Sequence, residues 1–450
     1  MGDFNKKYRY DDKVNNLTDI VNNKDNIVID NPVPQNVFDK YESNVRSYCR
    51  KWDAIFSTAK GSIIYDKNGN KYLDFFDGAG ALNFGHKNES IKEDIINYIQ
   101  KDGIMHSLDM HTSSKQEFID YFENNIIKPR GLEYKIAFPG PTGTNAIEMA
   151  IKLARKAKGR SNIFAFMGAF HGMTLGSLAL TTERAAREGA GVNLENVTHI
   201  APPYYMNNSF DTIGYMKEIL HDDHSGIEKP AAIILETVQA EGGIYPFSNE
   251  FLKDLRKLCD EEDILMIVDD IQVGCGRTGK FFSFEESGIK PDMVVMSKSI
   301  GAYGMPLSVL LLKDKIDVFK PGEHNGTFRG FQLSMVAAKS GLKYYNENHI
   351  DEEVQKKEKL LKEYLNNEIK PLLGDNMEIR GKGLIYGIDF KDGKLSRSIL
   401  DECYKKGLII ELAGRKDSVL KIMPALTIED DLLLEGTEKI KKSMKLVLKK

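Results

Sequence analysis

The sequence predicts an α/β protein: a large domain built on a mainly parallel sheet, followed by a smaller α+β domain. Three observations predict this. Short apolar runs alternate with helix-period segments through the middle of the chain, the pattern of βαβ units. After about residue 330 the pattern changes to a long amphipathic stretch and then short strands. The chain has 450 residues, more than one ordinary core holds.

The elements follow in order. Met1 to about Val33 is rich in Asn, Asp and Lys and reads as a disordered or loosely attached tail. Phe38, Tyr41, Val45 and Tyr48 fall at helical spacing, so order begins near Phe38. Ser62 to Asp74 reads as a hairpin turning at Asp66-Lys67-Asn68-Gly69-Asn70. Ile163–Phe166, Ala231–Leu235, Ile264–Val268 and Met293–Met296 are strand-like. Asn145–Ala157 and Glu250–Glu262 are helix-like. A long amphipathic helix is expected from about Leu333, then short strands around Ile379–Phe390 and Leu408–Glu411. No internal repeat is visible.

Composition excludes several classes. Hydrophobic residues make up 41% and charged residues 28%, as in ordinary soluble proteins. The net charge is -4 and no basic stripe stands out, which argues against nucleic acid. The C-terminal lysines Lys441, Lys442, Lys445, Lys449 and Lys450 interleave with Met444, Leu446 and Leu448, as on the solvated face of a terminal helix. Cys49, Cys259, Cys275 and Cys403 are far apart, so neither a zinc site nor a disulfide framework is implied. No signal peptide and no membrane span are expected, and the location expected is the cytoplasm.

Three apolar strands run into charged residues: Glu236, Asp269 and Lys298. In open α/β sheets, ligands sit outside the carboxyl ends of the strands. A charge there is costly unless partnered. One such charge is most simply structural; two acids and a lysine on three strands suggest a site. Pro139-Gly140-Pro141-Thr142-Gly143-Thr144-Asn145 leads into a helix, with Asn145 as the expected cap and Glu148 three residues on. Such a start is a natural phosphate site, although Gly-Thr-Asn before a helix is usually just a cap. A Schiff-base lysine, an acid for a pyridine nitrogen and a phosphate cradle are the parts that pyridoxal 5'-phosphate requires. Two nucleotide motifs compete. Gly274 to Gly279 matches GxGxxG and Gly274 to Lys280 matches GxxxxGK, but Phe281 stands where a Ser or Thr is needed, and Phe281-Phe282-Ser283-Phe284 replaces the helix start. The segment is therefore expected to be a structured turn behind Asp269.

Asp269-Asp270-Ile271-Gln272-Val273-Gly274-Cys275-Gly276-Arg277-Thr278-Gly279, with Ser297-Lys298 downstream, resembles the signature of class III (ornithine/GABA-type) aminotransferases. The similarity extends over nearly all of the chain after about residue 38. Gly103–Thr112, Lys128–Leu132, Phe138–Asn145 and Asn325–Phe331 resemble the diaminobutyrate branch of that family, the ectoine-pathway type. The resemblance implies fold type I and a homodimer or higher homo-oligomer with sites at the interface. The expected layout is residues 1–35 as a tail longer than the family leads one to expect, 36–95 as a segment packing with the small domain, 96–330 as the large domain and 331–450 as the small domain. The resemblance implies transamination between glutamate and aspartate 4-semialdehyde, or else activity on ornithine, GABA or a similar terminal amine, or an aminomutase. No metal is implied.

Residue roles follow from the same resemblance. Lys298 is expected to carry the cofactor and Asp269 to pair with the ring nitrogen. Gln272 is expected to contact the ring hydroxyl and Phe170 to stack on the ring. Thr142, Gly143 and Thr144 are expected to hold the phosphate, and Thr327 to reach the phosphate in the neighbouring subunit. Glu236 is expected near the cofactor, and Glu241 matches a gate between substrates. Two departures stand out. Asp270 replaces the usual Glu, and Lys421 stands where ornithine-type enzymes clamp a carboxylate with arginine. Lysine lacks the bidentate fork. Arg329 is then a candidate carboxylate partner.

Overall fold

The structure is a computed structural model that describes residues 37–449; the expected tail, residues 1–35, lies outside the described residues. The chain separates into two units, one up to Ile55 and one from Phe56. In the first, a helix spans Val37–Tyr41 and a 3-10 turn spans Tyr48–Arg50. The helical spacing of Phe38, Tyr41, Val45 and Tyr48 therefore does not continue as one helix. Ser43 and Asn44 end it: the Ser43 hydroxyl accepts from the Val45 N–H at 3.3 Å, a local bond that competes with helix.

The strands of the second unit run in this order. They are β1 (Phe56–Lys60), β2 (Ile63–Asp66), β3 (Lys71–Asp74), β4 (Lys135–Ala137), β5 (Ile163–Phe166) and β6 (Val197–Ile200). Next come β7 (Ala232–Leu235), β8 (Val238–Gln239), β9 (Tyr245–Pro246), β10 (Leu265–Asp269), β11 (Met293–Met296) and β12 (Val309–Leu312). The last are β13 (Glu378–Lys382), β14 (Ile385–Asp389), β15 (Leu408–Ile409), β16 (Glu411–Ala413) and β17 (Val419–Ile422).

The main sheet has seven strands in the order β4-β12-β11-β10-β7-β5-β6. β11, β10, β7, β5 and β6 pair in parallel, while β12 is antiparallel to both its neighbours. The expected mainly parallel sheet is borne out. Its central strands are buried along their whole length, as sheets covered on both faces require. Alternate residues feed two cores, with Ile233, Met266 and Val294 on one face and Ile234, Ile267 and Val295 on the other. The Gly143–Lys158 helix covers the second face through Ile147, Ala150 and Ile151. The Asn249–Glu261 helix covers the first through Leu252, Leu255 and Leu258.

The expected hairpin is present, with Ile63 opposite Leu73. Its turn is fixed by the Asp66 carboxylate, which accepts from the Asn68 and Asn70 N–H groups, each at 2.9 Å. The long helix expected from Leu333 is two helices, Gln332–Glu347 and Ile350–Tyr364. The break falls at Asn348-His349, where His349 adopts a left-handed φ of 47°. The stretch Leu408–Glu411 likewise divides. β15 joins β3 in parallel, and β16 joins an antiparallel sheet of order β13-β14-β17-β16. Among the described residues, no helix is long and apolar enough to cross a membrane.

The Gly274–Gly279 segment is a turn, as its context predicts, with Gly276 at φ 94° and Gly279 at φ 91°. Arg277 within it is fully buried. Its guanidinium donates to Asp77 Oδ2 and Asn83 Oδ1, both at 2.6 Å, to Leu384 O at 3.1 Å, and to Pro424 O. One side chain thus ties four distant segments together. Removing one partner of a buried ion pair leaves the other uncompensated. Arg277→Ala is expected to lower stability by about 3–5 kcal/mol, read as a reduced urea midpoint. The double variant Arg277→Ala/Asp77→Ala should cost less than the sum of the two single changes.

Candidate active site

β5, β7, β10 and β11 are parallel, so their carboxyl ends share one edge of the sheet. Phe170, His171 and Gly172 follow β5, Glu236 follows β7, Asp269 ends β10, and Lys298 comes just after β11. These residues line a cleft together with Gly143, Thr144, Glu241, Ile271, Gln272 and Val273. The sequence-predicted residues Lys298, Asp269, Gly143, Thr144, Phe170, Glu236, Gln272 and Glu241 are therefore brought together. Thr142, Thr327, Arg329 and Lys421 do not line the cleft.

Asp269 is 4% exposed and doubly held. Its Oδ2 is 2.7 Å from His171 Nδ1, and its Oδ1 accepts from the Ile271 N–H at 3.1 Å. Burial disfavours charge on His171, but the bond and charge of Asp269 outweigh it, so the imidazole holds its proton above the usual range. A carboxylate paired with an imidazolium keeps lone pairs free for a further cationic N–H. Sequence reasoning gave His171 no role; its place just past the end of β5 was the available signal.

Lys298 adopts a left-handed φ of 52°, a conformation unusual for a side-chain-bearing residue and common at functional sites. Burial holds its amine below the ordinary lysine range, against the opposing pull of Glu241. An amine so placed is more readily neutral and nucleophilic.

The phosphate-like cradle differs in detail from the sequence expectation. The helix starts at Gly143, with Thr142 as its cap and Asn145 in the third helical position. Asn145 Oδ1 accepts from the Thr142 hydroxyl at 2.8 Å and from its N–H at 3.2 Å. Glu148 is not part of the cap: its Oε1 accepts from the Thr174 hydroxyl at 2.6 Å and the Ser177 N–H at 3.0 Å. The shift places the first-turn N–H groups of Gly143 and Thr144 at the cleft, where the helix dipole favours an anion. Gly172 must lack a side chain, since a Cβ there would lie 2.6 Å from Thr144 Oγ1.

Gln272 donates through Nε2 to Ala79 O at 3.0 Å and to Glu241 Oε1 at 3.2 Å. Its buried Oε1 has no hydrogen-bond partner among the described residues and belongs to a side chain bordering the cleft. Glu241 also meets Lys421 Nζ at 2.5 Å, and Lys421 Nζ lies 2.8 Å from Glu411 Oε2. Glu411 was not singled out from sequence. Arg329 is engaged elsewhere, donating to Asp109 Oδ2 at 2.6 Å and to His324 O at 3.3 Å. Thr327 begins a 3-10 turn, and its carbonyl lies 2.8 Å from His106 Nε2.

Glu236 accepts from the Phe170 N–H at 3.0 Å and the Ala240 N–H at 3.2 Å. Burial pushes its carboxyl up to about 7. The folded state therefore favours the protonated form, and that contribution is lost as pH rises from the ordinary glutamate range through 7. Compared with Glu236→Gln, the cofactor-free wild type should lose about 2–3 kcal/mol of relative stability between pH 5 and pH 8. Paired thermal melts at the two pH values check this, and Glu236→Gln should gain at pH 8 only.

The geometry can be set beside known proteins. A model of the family Aminotransferase class-III matches residues 47–444. A protein of Bordetella parapertussis named diaminobutyrate--2-oxoglutarate transaminase is 48% identical over 410 residues, covering 91% of this chain and 94% of that one. A protein of the same name from Wolinella succinogenes is 48% identical over 413 residues, covering 92% and 96%. Among solved structures, a Bacillus anthracis aminotransferase superposes with a TM-score of 0.81 at 25% identity, covering 91% of this chain and 97% of that one. The ornithine aminotransferase of Toxoplasma gondii, with a TM-score of 0.80 at 24% identity over 92% and 94%, shares the fold. The chain belongs to the class III aminotransferase family, an enzyme family of fold type I whose cofactor is pyridoxal 5'-phosphate.

Proposed function

We propose that this chain transfers an amino group between L-glutamate and L-aspartate 4-semialdehyde, giving L-2,4-diaminobutyrate and 2-oxoglutarate. The observation that carries the chemistry is the placement of Asp269 and Lys298 at the ends of adjacent parallel strands, facing one cleft. The substrate pair is supported by the relatives at 48% identity and by Lys421, which stands where ornithine-type enzymes clamp a carboxylate with arginine.

The residues present fit the cofactor. The unpartnered Gln272 Oε1 suits a ring hydroxyl, and the helix start at Gly143 suits a phosphate. In this reading Lys298 would hold the cofactor covalently through its amine, and Asp269 would take the protonated ring nitrogen. Thr142, Gly143 and Thr144 would hold the phosphate, Phe170 would cover a ring face, and Glu236 would stand beside it. Bound there, the cofactor supplies an electron-accepting ring that stabilises negative charge developing at the substrate carbon.

The chain's own residues do the rest. His171 keeps Asp269 in place and balances its charge. Once freed from the cofactor, Lys298 Nζ, biased toward the neutral amine, would be the base positioned to take the proton from the substrate carbon. Glu241 leaves Lys421 when glutamate enters and returns to it when a terminal amine is bound. The Arg329–Asp109 pair speaks against Arg329 as the carboxylate partner.

Several finer points belong to the same reading. The layout is a large domain of residues 96–330 and a small domain of residues 331–450, preceded by a segment of residues 36–95. The assembly is a homodimer or higher homo-oligomer in which Thr327 of one subunit reaches the phosphate of its neighbour. The exposed apolar side chains of Ile104, Met105, Met110 and Phe328 near Thr327 support a covered surface there. The location is the cytoplasm, which the free state of Cys49, Cys259, Cys275 and Cys403 supports. The sequence leaves ectoine, siderophore, polyamine and peptide-antibiotic routes open as users of the product.

Adding L-glutamate alone to the cofactor-loaded enzyme should convert the bound cofactor to its amino form, followed by absorbance. Lys298→Ala is expected to slow that conversion by at least about 10²-fold to 10⁴-fold. If glutamate leaves the wild-type spectrum unchanged while another amino donor converts it, the proposed donor is wrong.

A further inference from the structure

Lys421 on β17 lies directly opposite Glu411 on β16, so the two side chains share one face of the sheet. Lys421 is fully buried and Glu411 is 3% exposed. On its other side the ammonium meets Glu241, which reaches the cleft. Two carboxylates thus face one ammonium, leaving the group with an excess of one negative charge. One counter-charge is enough to satisfy a buried lysine, and Glu241 provides it whenever it rests on Lys421. A second buried carboxylate costs desolvation. Its Oε2 approaches Lys421 Nζ at 2.8 Å. While Glu241 rests on Lys421, the second carboxylate is more than the lysine needs. Its charge also reaches the reacting end of the cleft: Glu411 is among the groups that raise the proton affinity of Lys298.

We propose that Glu411 is a specificity-determining residue that spends the charge of Lys421 inside the small sheet, so that the cleft favours a cationic terminal-amine substrate over a dicarboxylate. Lys421 is then the post to which Glu241 returns and a weak anchor for an incoming carboxylate. Glu411 touches neither substrate nor cofactor and acts through Lys421, so it is a positioning residue. The inference rests on the transamination reading above and assigns that site its charge preference.

Three proteins test it: the wild type, Glu411→Gln and Glu411→Asp, all cofactor-loaded. Calorimetry measures the binding of glutarate, a dicarboxylate with no amine to react. Single-turnover absorbance measures the two half-reactions, with L-glutamate and with L-2,4-diaminobutyrate. Removing one negative charge near the cleft is expected to tighten glutarate about fivefold and to shift the ratio of the two kcat/KM values about tenfold toward glutamate. Glu411→Asp keeps the charge and should stay within about twofold of wild type. Glu411→Thr, uncharged and at ease in a strand, serves as a second neutral variant should Gln fail to fold. The inference is overturned if a folded neutral variant leaves glutarate binding and the ratio unchanged, or depresses both half-reactions equally. It also falls if neither neutral variant folds, since the residue is then structural. A wild type inert toward both amines would instead overturn the transamination reading, which separates the two failures.

Discussion

The structure depends on placing charges at the carboxyl edge of a buried parallel sheet without leaving any unpaid. Burying an isolated charge costs several kcal/mol, so each one at the strand ends needs a partner or a protonation state that relieves it. Asp269 has His171 and the Ile271 N–H. Glu236 has two backbone N–H groups and an elevated pKa. Lys298 is held below the ordinary lysine range. The same constraint runs behind the cleft, where Arg277 joins Asp77, and Lys421 stands between Glu241 and Glu411.

Much of the fold was legible because its central strands are covered on both faces. Continuous apolar runs such as Met293–Met296 are hard to mistake, and that strand has the expected bounds. Boundaries set by single hydrogen bonds were less legible. The helix at Gly143 begins two residues before the expected Asn145, because Thr142 takes the cap and Glu148 is drawn off to Thr174 and Ser177. The break at His349 turns on one left-handed residue, and the passage from β15 to β16 on pairing with the distant β3, neither of which local periodicity reports.

The candidate site divides along the same line. Glu236, Asp269 and Lys298 were visible because a charge at the end of an apolar run violates the local pattern. Glu411 was not visible, because it is the last residue of an expected short strand and its meaning comes from a cross-strand partner. His171 lay in a motif already noted, but its bond to Asp269 spans the sheet from β5 to β10. Lys421 was recognised as a departure from an arginine, and the structure adds that its charge is already engaged on two sides.

The central claim is that these strand ends converge on one lysine that carries the cofactor. Borohydride reduction of the loaded protein, followed by peptide mass mapping, tests it most directly. The phosphopyridoxyl group should be found on the peptide containing Lys298. Its recovery on another lysine, or on none, would contradict the account.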